Sequence, residues 1–136
     1  MKLSTRGRYA VSAMFDLAAH GEGKPVSASV IAKRQKISVT YLEQLLSKLR
    51  QAKLITTVRG PSGGYVLAKK PGQITIGDII KVTDGPIALA NCVTDGDCCP
   101  KSGCCSTKAL WHNLSEKIEK LLDKTSLANL CEEALK

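Results

Sequence analysis

"SVTYLEQLLSKLRQAKLITTVRGPSGGYVLA", residues 38–68, is the stretch on which the fold turns. Leu42, Leu45, Leu46 and Leu49 recur at i, i+3, i+4 and i+7, which predicts a helix over "VTYLEQLLSKLRQ" with one buried stripe. At about 100° per residue, Thr40, Gln44, Ser47 and Gln51 fall on the opposite side, with Glu43 on its flank. That outer face is polar and almost uncharged. Thr40 and Glu43 also stand at a capping-box spacing, a structural role that competes with any functional one for Glu43. Beyond the helix, "LITTV" and "YVLA" alternate as strands. "RGPSGG" between them, with Pro61 and three glycines, predicts a tight exposed hairpin tip.

Working outward from this stretch gives the rest of the N-terminal half. Thr5 to Ala19 reads as a helix with Tyr9, Ala10, Met14, Phe15, Leu17 and Ala18 on a broad apolar side. "GEGKP" breaks it, Ser27 or Ser29 caps a short helix "VIAKRQ", and "KIS" makes a tight connection to the leucine-striped helix. A short helix, a tight turn and a longer helix with a polar outer face form a helix-turn-helix, and a following β-hairpin makes it a winged helix. Thr and Gln side chains there suit base edges in a major groove. Arg59 at the base of the wing and Ser62 at its tip are placed for phosphate or minor-groove contact. The Gly-rich tip lacks the spacing of a phosphate-binding loop and opens no helix.

The charge distribution points the same way. The net charge of the 136 residues is +8, and residues 1–70 hold thirteen Lys or Arg against three acids, whereas residues 71–136 hold seven against nine. All the excess positive charge sits on the winged-helix half, which suits a polyanion, with nucleic acid ahead of a membrane surface. No run of about twenty apolar residues predicts a membrane span. Arg6, Arg8 and Asp16 interrupt the N-terminus, so no secretion signal is read there. The expected location is the cytoplasm, a reducing compartment in which clustered cysteines favour metal binding over disulfides.

The C-terminal half carries the second theme. Thr75 is a candidate N-cap for a short helix ending at Gly85. "NCVTDGDCCPKSGCC", residues 91–105, then holds five of the six cysteines. "TKALWHNLSEKIEKLLDK" follows as a long amphipathic helix. Leu110, Leu114, Ile118 and Leu121 form its stripe, Trp111 and Leu122 widen it, and Glu116, Lys117, Glu119 and Lys120 give a solvated face. A stripe this long beyond a small domain calls for a partner, and we expect a two-fold homodimer that sets two reader helices on half-sites about 34 Å apart. Disulfides at these short spacings would be strained. A structural zinc site usually needs paired hooks, and only Cys99 and Cys104 offer such a gap. Thiolates near Lys101 and Lys108 would also suit a thiol switch. Iron–sulfur clusters accept irregular cysteine spacing because inorganic sulfide completes the coordination. From the residues alone, metal centre and thiol switch both stay open. Cys131 reads as a small buried apolar residue.

"GRYAV", "SVTYLEQLLSKLR", "VRGPSGGY" and "ALWHNLS" resemble the IscR-type bacterial repressors, winged-helix regulators that carry an iron–sulfur cluster. The resemblance covers nearly the whole chain. It implies that Thr40, Glu43, Gln44 and Arg59 contact DNA, with Glu43 acting as a gate on operator choice. In that family the cluster ligands follow Cys-x5-Cys-x5-Cys-x2-His, directly before Ala-Leu-Trp. Anchoring on Ala109–Trp111 gives Cys92, Cys99 and Cys105 as ligands, with one inserted residue after the first. Lys108 stands where the histidine would be, and an ammonium has no lone pair for iron. Cys98, Cys104 and His112 are the alternatives for the fourth place. His112 and His20 otherwise read as helix-surface residues. The resemblance further implies a 2Fe–2S cluster ahead of a 4Fe–4S one, regulation of cluster-assembly genes, and cluster-assembly proteins as partners.

The expected architecture is therefore mainly α with a small β-hairpin wing. It comprises a winged helix-turn-helix over 1–85, a cysteine-rich cluster-binding loop over 86–106, and a dimerisation helix with a C-terminal helix over 107–136. The expected function is a DNA-binding repressor, not an enzyme, controlled by a cluster at Cys92–Cys105. Direct sensing of zinc, other thiophilic metals or oxidants by the cysteines is the alternative.

Overall fold

The computed structural model describes residues 4–21, 23–85 and 107–134. The proposed ligands Cys92, Cys99 and Cys105, and the alternatives Cys98 and Cys104, lie outside the described residues. The described chain is mainly helical with one two-stranded antiparallel hairpin, as the periodicities require. Helix α1 (Thr5–Asp16) opens with Ser4 as N-cap, whose hydroxyl accepts from the Gly7 N–H at 2.9 Å. It ends earlier than expected, because a π-helical turn (Leu17–Gly21) replaces the last α-turn. Helix α2 (Ala28–Gln35) is capped by Ser27 rather than Ser29. It closes on Lys36 in the left-handed region, φ +57°. Helix α3 (Val39–Gln51) has the span read from the sequence.

One expectation about α3 is overturned. Its N-cap is Ser38, whose hydroxyl accepts from the Tyr41 N–H at 3.2 Å, and no Thr40–Glu43 capping box forms. Serine and threonine are comparable caps, so packing decides the frame. Starting one residue earlier lets the Ser38 carbonyl accept from the Leu42 N–H at 2.9 Å while Leu42, Leu45, Leu46 and Leu49 all enter the core.

Strands β1 (Ile55–Val58) and β2 (Gly64–Leu67) pair in the register Ile55 with Leu67 through Val58 with Gly64. A one-residue third strand stiffens the wing: Val26 and Tyr65 exchange backbone hydrogen bonds of 3.0 and 2.8 Å. Gly64 permits this, since a Cβ there would overlap the Val26 backbone. A 3-10 turn (Pro71–Gln73) leads to helix α4 (Ile76–Asp84), where Thr75 and Asp78 form the capping box. Helix α5 (Lys108–Lys124) and helix α6 (Leu127–Ala134) complete the described chain.

The core is one cluster. Ala10, Ala13, Met14 and Leu17 meet Ile31, Leu42, Leu46, Leu49, Ile55, Ile74, Ile79 and Leu127, each almost fully removed from water. The small residues of α1 let it lie centrally, against α2, α3, α4 and α6. Among the described residues no helix is long and apolar enough to cross a membrane.

Candidate nucleic-acid interface

The side chains nominated for DNA contact stand on two projecting features. Thr40, Glu43 and Gln44 are exposed on the first turns of α3, and Arg59 and Ser62 are exposed on the wing. Among the described residues, none of the Thr40, Glu43 and Gln44 side chains has a hydrogen-bond partner. With Ser38 as the cap, the competing structural role for Glu43 falls away. This is a row of donors and acceptors on a helix N-terminal turn, held by a stripe of leucines that cannot rotate without opening the core.

Three contacts fix the orientation of that row. The Tyr9 and Tyr41 rings meet edge to face, with centroids 5.8 Å apart and planes at 78°. Asp16, the last residue of α1, is fully buried. Its carboxylate accepts from Arg34 Nε at 3.0 Å, Arg34 Nη2 at 2.7 Å and Gln35 Nε2 at 3.0 Å. The third is the hydrogen-bonded connection from α2 to α3, where the Ile37 N–H donates to Ala32 O at 3.0 Å. The Asp16 clamp was invisible to sequence reasoning, which saw Asp16 only as an interruption of an apolar run. Its one local signal is a carboxylate on the apolar side of a helix, and the partners lie eighteen and nineteen residues away. At its other end α1 is tied to α4. Asp84 accepts from the Ser4 N–H at 3.2 Å and from the Ser4 hydroxyl, and Gly7 leaves room for that carboxylate. Helix α1 thus bridges the end of α4, shortly before the cysteine-rich segment begins in the sequence, and α2, which precedes α3.

The far end of that segment joins α5. Its expected solvated face is only partly so. Glu119 reaches Lys81 of α4 at 2.9 Å, and Asp123 reaches the same ammonium at 3.1 Å. These two carboxylates raise the Lys81 pKa above its ordinary value, chiefly through hydrogen bonds to Glu119 and then Asp123. Gly77 lets α4 and α5 approach this closely, since a Cβ would collide with the Asp123 carboxylate. The face of α5 turned to its own chain therefore carries Leu114, Ser115, Ile118, Glu119 and Leu122, and Ser115 is its one buried residue. The rest of the apolar stripe points elsewhere: Leu110, Trp111 and Leu121 are 49, 37 and 66% exposed.

Lys108 opens α5, so the position expected to hold a histidine carries a cation at the helix N-terminus. His112, one turn later, is more than half exposed and pairs through Nε2 with Glu116 at 3.2 Å. That is the surface role expected of it, and His20 is likewise exposed. Cys131 is half-buried rather than buried, and desolvation raises its thiol pKa. No group of three or more His, Cys, Asp or Glu side chains suited to a metal occurs among the described residues.

Residues 3–133 match the model of the Rrf2 family, described as an iron-dependent transcriptional regulator. The chain is 43% identical over 130 residues to the HTH-type transcriptional regulator IscR of Cronobacter sakazakii, covering 96% of this chain and 80% of that relative. Among solved structures it resembles CymR of B. subtilis, the global cysteine regulator. The TM-score is 0.82 and the identity 38%, over 98% of both chains. It also resembles T. potens IscR, with a TM-score of 0.81 and 42% identity over 98% of this chain and 88% of that one.

Proposed function

The chain belongs to the Rrf2 family of DNA-binding transcriptional regulators, and on that premise we propose that it is a dimeric repressor whose grip on a double-stranded operator is set by an iron–sulfur cluster. Its relatives regulate transcription and are not enzymes. The observation that carries the proposal is a pairing within one small chain. Helix α1 clamps α2 through Asp16 and Arg34 and meets α3, which bears Thr40, Glu43 and Gln44, through Tyr9 and Tyr41; its other end is tied to the helix end that precedes a five-cysteine segment.

In this reading Thr40, Glu43 and Gln44 meet base edges in the major groove, and Arg59 and Ser62 meet the backbone or minor groove beside them. Cys92, Cys99 and Cys105 hold the cluster as thiolates. The donor set fits: five cysteines within residues 92–105 leave Cys98 and Cys104 for the fourth place, which Lys108 cannot fill. A cluster, when bound, supplies a centre that forms or decays with iron, sulfide and oxidant. A 2Fe–2S form is the first expectation. Because the cysteine-rich segment runs between Gly85 and Thr107, its occupancy acts on both α4 and α5. A difference in operator affinity between the two states is the coupling, typically ~1–3 kcal/mol. The regulated genes in this reading serve cluster assembly.

The dimer follows from α5. Fully covering a leucine-sized side chain is worth about 1.5–3 kcal/mol, and Leu110, Trp111 and Leu121 keep 49, 37 and 66% of their surface open, enough for a partner to add a fraction of that at each. A groove of about 450 Å³ between α1 and α6, lined by Val11, Phe15 and Leu130 with Ser12, Glu133 and Ala134, adds apolar surface. A second copy covers both.

Anaerobic purification with assays of iron, acid-labile sulfide and zinc tests the cofactor. Matched iron and sulfide support the cluster, and their stoichiometry distinguishes two irons from four. Two observations favour a second reading, in which the cysteines respond directly to thiol chemistry or a thiophilic metal. The likeness to the B. subtilis global cysteine regulator is as strong as that to T. potens IscR, and Lys108 departs from the cluster pattern. Colourless protein with stoichiometric zinc, or protein that resists cluster reconstitution, would select that reading.

A further inference from the structure

We infer that Val39 reads the methyl group of a thymine in the major groove, so that one position of each operator half-site is selected by an apolar contact. The inference rests on the proposed reading of α3 as the DNA reader. Val39 is the first residue of α3 and is 42% exposed, on a helix whose four leucines are all buried. It lies one turn before Glu43, on the same flank of the helix. Its neighbours at the tip are otherwise polar. The Ser38 hydroxyl is occupied by the Tyr41 N–H and the Ser38 carbonyl by the Leu42 N–H, which leaves Thr40, Glu43 and Gln44 to donate or accept. Val39 alone offers a wholly apolar surface there. Among the described residues the other exposed valines, Val30 and Val58, sit on α2 and at the end of β1.

The major-groove edges of the four base pairs display donors, acceptors and one apolar group, the C5-methyl of thymine. An apolar side chain at the reading end of a recognition helix has that group as its natural partner. A β-branched residue suits the task, because a helix holds its χ1 in one strongly preferred rotamer and little freedom remains to be lost on binding. The fold does not require the valine. It makes no contribution to the cap bond, and the core closes with Leu42 one turn later.

The test begins by selecting an operator from a random duplex pool with the wild-type protein. Each thymine of the selected site is then replaced singly by deoxyuridine, which removes only the methyl. Affinities are measured for wild type, Val39→Ala and Val39→Ser. The expected result is one thymine per half-site whose replacement weakens wild type by about fourfold, the worth of one methylene-sized group, and is silent in both variants. Every other thymine should behave alike in all three proteins, and both variants should unfold at the wild-type temperature. Equal deoxyuridine effects in wild type and variants at every position would overturn the inference while leaving the reader helix in place. Failure of the wild type to select any duplex would overturn the reader assignment itself, and this inference with it.

Discussion

Helices α3 and α5 are written in the same apolar period and end in opposite situations. In α3 the stripe Leu42, Leu45, Leu46 and Leu49 is buried by the chain's own core. In α5 the stripe is divided: Leu114, Ile118 and Leu122 are partly buried beside Ser115 and Glu119, while Leu110 and Leu121 stay 49 and 66% exposed. Periodicity shows that a helix owns an apolar face. It does not show whether the cover comes from the same chain. The first helix is covered within its own chain, and the second, in the proposed reading, completes its cover with a partner.

The largest effect is expected at the clamp that makes the reader unit self-sufficient. Arg34→Met leaves the wholly buried Asp16 carboxylate with Gln35 alone, and should cost about 3–5 kcal/mol of folding stability in denaturant titrations. Asp16→Asn should cost less, because the Arg34 side chain is 36% exposed and can turn to water. If the two substitutions proved equal and small, the clamp would be ornamental. Next in size, Leu46→Ala opens a cavity in the core and should cost about 2–5 kcal/mol by the same measurement.

The matching change in α5 should behave quite differently. Leu121→Glu is expected to leave the thermal unfolding of the isolated chain nearly unchanged, since Leu121 is 66% exposed, while light scattering reports a monomer. Operator affinity should fall with it, because two half-sites are no longer held together. A dimer that survives Leu121→Glu would place the partner surface elsewhere. The smallest effect belongs to the α4–α5 tie. Lys81→Met removes exposed ion pairs and should cost under about 1 kcal/mol. Its pH dependence is one-sided. The folded-state pKa of Lys81 is raised, so the contribution is whole below lysine's ordinary 10.5 and is lost as pH climbs through the higher folded value. Wild type and Lys81→Met should therefore converge in stability as the solution becomes strongly alkaline.

These contrasts also mark how far the sequence could be read. The span of α3, the two strands and the Thr75 cap were legible because each rests on local chemistry: an apolar period, a Gly/Pro tip, a side chain that bonds its own backbone. Features that depend on distant residues were not. Ser38 displaced Thr40 as the cap because core packing chose between two adequate hydroxyls. The α1 helix yielded to a π-helical turn at Leu17, and Asp16 found partners that no local pattern could pair with it. Glu119 looked solvated until Lys81 of another helix claimed it. At the candidate site the exposure of Thr40, Glu43 and Gln44 was legible, because they lie on the polar face opposite a leucine stripe. The placement of Lys108 at the head of α5 was legible too, as a departure from the cluster pattern.

The central claim is that cluster occupancy and operator grip are one linked equilibrium. It is tested most directly by measuring, without oxygen and at fixed salt, the affinity of a selected operator for cluster-loaded protein and for the same preparation stripped of iron. The account predicts a difference of about 5- to 150-fold that disappears in a Cys92→Ser, Cys99→Ser, Cys105→Ser protein. Equal affinities for the loaded and stripped forms of the wild type would contradict it.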